Sequence, residues 1–175
     1  RLWRRNPVNR RYRCLDMNLD SPAEVEQPAG AFLMIRRDVF ERLGGMDEGF
    51  RPVWFEDVDF LRRLRSAGYR VRYVPLAAAR HKGGASVGLL PEDFRVFWWY
   101  GSLLRYSCKH FRPAGRLTVA AAVICGCFLR MVFGSLRRWK TEPVTVYGKV
   151  IRLACLGLFS GRSGEAGSTP VLARQ

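Results

Sequence analysis

Acidic residues are scarce in this chain: 15 Asp and Glu stand against 30 Lys and Arg, a formal charge of +15 over 175 residues. Lysine is scarce as well, since nearly all the cations are arginines. Such a surplus fits a polyanionic partner, and nucleic acid, an anionic membrane surface and a sugar-diphosphate substrate satisfy it equally. Paired cysteines are missing. Cys14, Cys108, Cys125, Cys127 and Cys155 form no CxxC unit and no zinc-binding spacing, and their odd number argues against a complete disulfide framework. They read mostly as small apolar fillers in a reducing compartment. There is no internal repeat, no initiating methionine and no apolar run behind Arg1-Leu2-Trp3-Arg4-Arg5, which argues against a signal peptide and suggests a sequence that opens mid-protein. Asp16-x-Asn18-x-Asp20 starts like a calcium loop, but Ser21 stands where its glycine belongs and no glutamate closes it, so calcium is not expected.

The acid that is present is clustered. Between Gly30 and Ser86 lie Asp47-Glu48 and Glu56-Asp57-x-Asp59, and 48% hydrophobic residues provide for one core around them. Ala31-Phe32-Leu33-Met34-Ile35 predicts a buried strand. Val39, Phe40 and Leu43 predict a short helix closed by Gly44-Gly45, and Asp47 to Pro52 is loop chemistry. A second helix is expected to start near Glu56, with Val58, Leu61 and Leu64 on its apolar face, and to end at Gly68. Residues 69–74 alternate as a strand does, Pro75 stops them, and 76–80 form a second extended run; both are expected beside 31–35. Carboxylates in the first turn of a helix gain about 0.3–1 kcal/mol from its exposed N–H groups, which alone would account for Glu56 and Asp57.

The order of these residues suggests more. Gly-Ala, an apolar strand, Arg-Arg-x-x-Phe, Gly-Gly-Met-Asp-Glu-x-Phe, aromatic-Glu-Asp-x-Asp, Gly-Tyr-Arg-Val, Pro, then His81 and Ser86 closely resembles the acceptor-side half of glycosyltransferase family 2, especially its bacterial rhamnosyltransferase-type members. The resemblance runs from about Val25 to Ser86 and continues loosely through Ser102–Tyr106 and Lys109-His110-Phe111. It implies an α/β chain, the C-terminal part of a GT-A domain over 1–90; composition adds a mainly helical, membrane-associating part over 91–160 and a disordered tail over 161–175. The family's nucleotide-binding half, with its Asp-x-Asp, is not expected within residues 1–29, which are too few for a strand–helix–strand unit.

The resemblance also assigns roles for an inverting transfer from a nucleotide-diphospho-sugar to a lipid-linked or cell-envelope glycan. Asp57 is implied as the general base, with Glu56 orienting the base or the acceptor. Trp54 and Phe55 are implied as a wall for a sugar face, Asp59 as a further substrate contact, and Gly30-Ala31 as a place where backbone approaches a sugar. His81 is implied as a ligand of a divalent cation, Mg2+ or Mn2+, shared with the Asp-x-Asp, or as a diphosphate contact. Lys82 to Ser86 supplies a cation and backbone N–H groups for the diphosphate, although a plain surface loop would read the same way. Asp47-Glu48 is expected to cap backbone N–H groups.

From Pro91, which fits a first helical position, the character changes. Phe94, Phe97, Trp98, Leu103, Leu104 and Phe111 make a broad apolar band, residues 117–136 are apolar apart from Arg130 and a few small polar groups, and a third helix is expected over 145–159. The 117–136 helix is expected to lie on the inner leaflet of a bacterial plasma membrane, from the cytoplasmic side; a true span or a buried packing helix are the alternatives. Residues 101–175 hold 12 Lys and Arg but 2 Asp and Glu, which places the basic surplus beside the apolar helices. A second functional reading, a non-catalytic basic module for nucleic acid or anionic membrane, has no use for three acids at its centre, so nucleic acid is not expected as a partner.

Overall fold

The computed structural model describes residues 6–12, 14–84, 87–138 and 142–160. Six helices and one small sheet occupy them: α1 Pro7–Tyr12, β1 Ala23–Glu24, α2 Arg37–Arg42, α3 Glu56–Ser66, β2 Arg72–Tyr73, α4 Glu92–His110, α5 Pro113–Arg138 and α6 Glu142–Ser160, with a 3-10 turn at Glu48–Phe50. The expected α/β character is therefore corrected to a mainly helical chain. Its sheet is two strands of two residues, antiparallel, pairing Ala23 with Tyr73 and Glu24 with Arg72.

Residues 31–35 are not the buried strand their apolarity predicts. They open in a turn and bend at 31–32 and have no ladder partner, and Leu33 and Ile35 are half-buried while Phe32 and Met34 stand exposed. A strand needs a neighbour for its amides. Here the 72–73 segment pairs with 23–24 instead, and 76–80 form no strand.

Two cores result. Val39, Phe60 and Leu64 form the first, with Ile35, Phe40, Leu43, Met46, Tyr69 and Val71 around them and the Phe40 and Phe60 rings 5.4 Å apart. The chain leaves α2 through Gly44 and Gly45, at φ +74° and +68°, and leaves α3 through Gly68 at φ +85°, the left-handed geometry that glycine adopts without a steric penalty. Leu104, Ala120, Val123, Cys127, Val150 and Ala154 form the second core, where α4, α5 and α6 meet. Pro91 caps α4 rather than opening its first turn. All five cysteines are free; only Cys127 is buried outright, and Cys14 and Cys125 are exposed. The tail from 161 and Ser86 lie outside the described residues.

Polar bonds fasten the two cores together. Asp59, one turn into α3, is 0% exposed and accepts from Arg63 Nε at 2.8 Å, from Lys109 Nζ at 2.8 Å, and contacts His110 Nε2 at 2.6 Å. Arg63 in turn donates to the carbonyls of Leu43 at 2.5 Å and Gly45 at 2.7 Å, satisfying the open C-terminal end of α2. Arg62 reaches across to the Tyr106 hydroxyl and the His110 carbonyl. One helix, α3, thus holds α2 on one side and α4 on the other.

Candidate active site

The acid-bearing turn is built by α4. Asp47 pairs with Lys109 at 2.7 Å and Arg105 at 3.3 Å, and its Oδ1 accepts from the Gly49 amide at 2.8 Å, the capping role expected of it. Burial alone would push the Asp47 carboxyl up; the bonds from Lys109 and the Gly49 amide, with the charges of Arg105 and Lys109, more than offset it and hold the group at about 2. Phe50 is buried beneath the cations of Arg105 and Lys109, 5.3 and 5.8 Å from its ring centre. Ser102 donates to the Val53 carbonyl at 3.3 Å, and the Phe55 ring lies 5.5 Å from that of Tyr106 and 6.1 Å from that of Trp99.

Clamped in this way, the chain enters α3 through two left-handed residues, Trp54 at φ +76° and Phe55 at φ +71°. Bulky side chains in this region cost about 1–3 kcal/mol each and persist where the surroundings over-determine them. Four attachments to α4 do so here. The geometry makes Phe55 a packing residue between α3 and α4, with Trp54 left partly exposed beside it.

Glu56 and Asp57 follow at once. Asp57 Oδ1 accepts from the Val58 amide at 2.8 Å and Oδ2 from the Gly30 amide at 2.9 Å, so both oxygens are held by backbone while each keeps a free lone pair. A β-carbon on Gly30 would lie 2.8 Å from Oδ2 and 2.9 Å from the Asp57 β-carbon. The close approach expected at Gly30 is therefore to Asp57. Glu56 Oε2 is a buried acceptor with no hydrogen-bond partner among the described residues, a rare and costly condition for a carboxylate.

Other expected contacts are placed differently. Asp59 presents no surface to a substrate; burial raises its carboxyl, and bonds from Lys109, His110 and Arg63 lower it further, leaving it below the ordinary value. Its expected substrate role is replaced by a fastening one, because three basic groups already surround it. Ala31, His81 and Lys82 are all exposed, and among the described residues neither His81 nor Lys82 has a side-chain partner. No three His, Cys, Asp or Glu among the described residues converge on a metal position. One exposed imidazole is too small a donor set, so these residues do not by themselves fit Mg2+ or Mn2+. Arg105, Lys109 and His110 have structural roles that sequence reasoning missed. Their signal was present: cations at 105 and 109 stand one helical turn apart, facing the acids.

Comparison with known proteins concerns the chain as a whole. Residues 10–82 match the family described as the N-terminal domain of galactosyltransferase. An N-acetylglucosaminyl-diphospho-decaprenol L-rhamnosyltransferase of Mycobacterium tuberculosis is 37% identical over 139 residues, covering 78% of this chain and 44% of that protein. The chain is related to the glycosyltransferases of bacterial rhamnosyltransferase type. A rhamnosyltransferase of Escherichia coli K12 is 39% identical over 61 residues, 35% of this chain and 23% of that protein. The chain thus spans under half the length of these curated relatives. No solved structure matches it. A non-catalytic basic module is not favoured by these relatives.

Proposed function

We propose that this chain is the acceptor-side, catalytic part of an inverting glycosyltransferase in which Asp57 is the general base. The single observation that carries the reading is the fixed Asp57 carboxylate, aimed by the Gly30 and Val58 amides from the head of α3. In an inverting transfer the acceptor hydroxyl gives its proton to Asp57 as its oxygen attacks the anomeric carbon of the donor. The bond from that carbon to the diphosphate breaks, and the diphosphate leaves with the electron pair. Glu56, whose buried Oε2 has no hydrogen-bond partner among the described residues, would orient the neighbouring base. Trp54, partly exposed before these acids, offers a face for a sugar ring.

We assign the donor diphosphate to the exposed His81 and Lys82, beside the Gly83-Gly84 turn. Relatives named for a diphospho-decaprenol acceptor and for rhamnosyl transfer support a nucleotide-diphospho-rhamnose donor and a polyprenyl-diphosphate-linked acceptor, used from the cytoplasmic side of the plasma membrane. The test is Asp57→Asn in the full-length protein, assayed with such a pair. The amide keeps the shape but accepts no proton, so turnover should fall by about 10²–10⁴ with folding and donor binding retained. Near-normal turnover would assign the base to another group.

A further inference from the structure

Along α5 the side turned away from the other helices is as apolar as the side packed among them. Leu117, Ala121, Cys125, Phe128, Leu129 and Val132 share that outer face at about 100° per residue, with Phe128 58% and Leu129 53% exposed. No charge interrupts it for about 24 Å, from Leu117 to Phe133. Arg130 stands off the face, bonded to the Gly126 carbonyl at 3.0 Å. The most apolar 18 residues within Pro113–Phe133 have a mean hydropathy of 1.8, and only 17% of them are buried. Soluble monomers rarely leave more than a few hundred Å² of contiguous apolar surface uncovered.

Charge selects the cover. Residues 111–133 carry Arg112, Arg116 and Arg130 and no acid, so a second copy would set like charges together, whereas anionic headgroups complement them. Packing selects the orientation. The inner face of α5, through Ala120, Val123 and Cys127, is committed to the core shared with α4 and α6, and α4 is tied to α3 by Lys109 with Asp59 and Asp47. Surrounding α5 with hydrocarbon would carry those ion pairs into the bilayer.

We infer that α5 lies in the plane of an anionic bilayer, its outer face at the boundary of headgroups and acyl chains, with Arg130 and neighbouring cations at phosphate depth. The inference adds a partner to the proposed transferase without depending on Asp57. Its readout is vesicle binding, so either reading fails without the other.

The full chain is floated with phosphatidylcholine vesicles and with vesicles of equal parts phosphatidylcholine and phosphatidylglycerol. Binding to the anionic vesicles should exceed neutral binding by about tenfold or more, weaken in high salt and be reversed by carbonate. Phe128→Asp with Val132→Asp, both at exposed positions, should leave circular dichroism unchanged and lower binding about tenfold or more. If that variant does not fold, an environment-sensitive dye on Cys125 of a Cys14→Ser chain serves instead, and should shift to the blue on adding anionic vesicles. Equal binding to neutral vesicles, undiminished binding by the folded variant, an unshifted dye or resistance to carbonate would each overturn the inference. So would a stable dimer that ignores vesicles and is split by the same variant.

Discussion

The amide of Gly30 donates to Asp57 Oδ2 at 2.9 Å, and a β-carbon on that glycine would sit 2.8 Å from the same oxygen. Twenty-seven residues of chain separate the two, so the contact is tertiary, and it admits no side chain at position 30.

Gly30→Ala should therefore displace the Asp57 carboxylate. Turnover should fall by roughly 10- to 100-fold while the Michaelis constant for the donor changes little, because a misplaced base costs rate more than binding. In an Asp57→Asn background the same change should cost almost nothing further. An equal loss in both backgrounds would mean that Gly30 acts independently of Asp57.

Asp59→Ala should be the most destabilising single change near the site. It leaves Lys109, His110 and Arg63 facing one another without their shared carboxylate, and breaking a buried pair costs about 3–5 kcal/mol. Urea unfolding measures it; a loss under about 1 kcal/mol would mean that water replaces the carboxylate.

Acid should loosen the loop from α4. Asp47 has its carboxyl lowered from 3.8 to about 2, so its stabilisation is complete above the unfolded value and disappears as pH falls through 3.8 towards 2. The shift corresponds to about 2 kcal/mol. Stability measured between about pH 5 and pH 2 should show this slope, and Asp47→Asn should remove much of it. A parallel acid limb in the variant would assign the slope to other carboxyls.

His81→Ala should leave the melting temperature within about 1 °C, because the side chain is exposed and unpartnered among the described residues. Donor binding by calorimetry, with and without Mg2+, should weaken if His81 meets the diphosphate or its ion. Unchanged donor binding in both conditions removes His81 from the donor site.

Local features were legible in the sequence because short-range rules fix them. Gly44-Gly45 and Gly68 end their helices as expected, α3 begins at Glu56, and Asp47 caps a backbone amide two residues on. The five acids could be found but not sorted. Asp59 lies two residues beyond Asp57 on α3, and that half-turn decides everything: one carboxylate points into α4's cations, the other towards the Gly30 amide.

The sequence by itself determined which residues this protein has for chemistry, its basic surplus and its resemblance to a transferase family, since composition and ordered motifs need no coordinates. Tertiary structure decided the roles. The 31–35 run fails to become a strand because strand pairing depends on a neighbour elsewhere in the chain, and β2 takes 23–24. The apolar length of α5 did not say which side would be covered; only packing against α4 and α6 leaves Phe128, Leu129 and Val132 outside. Burial and pairing are properties of what surrounds a side chain, and distant segments of the sequence supply those surroundings.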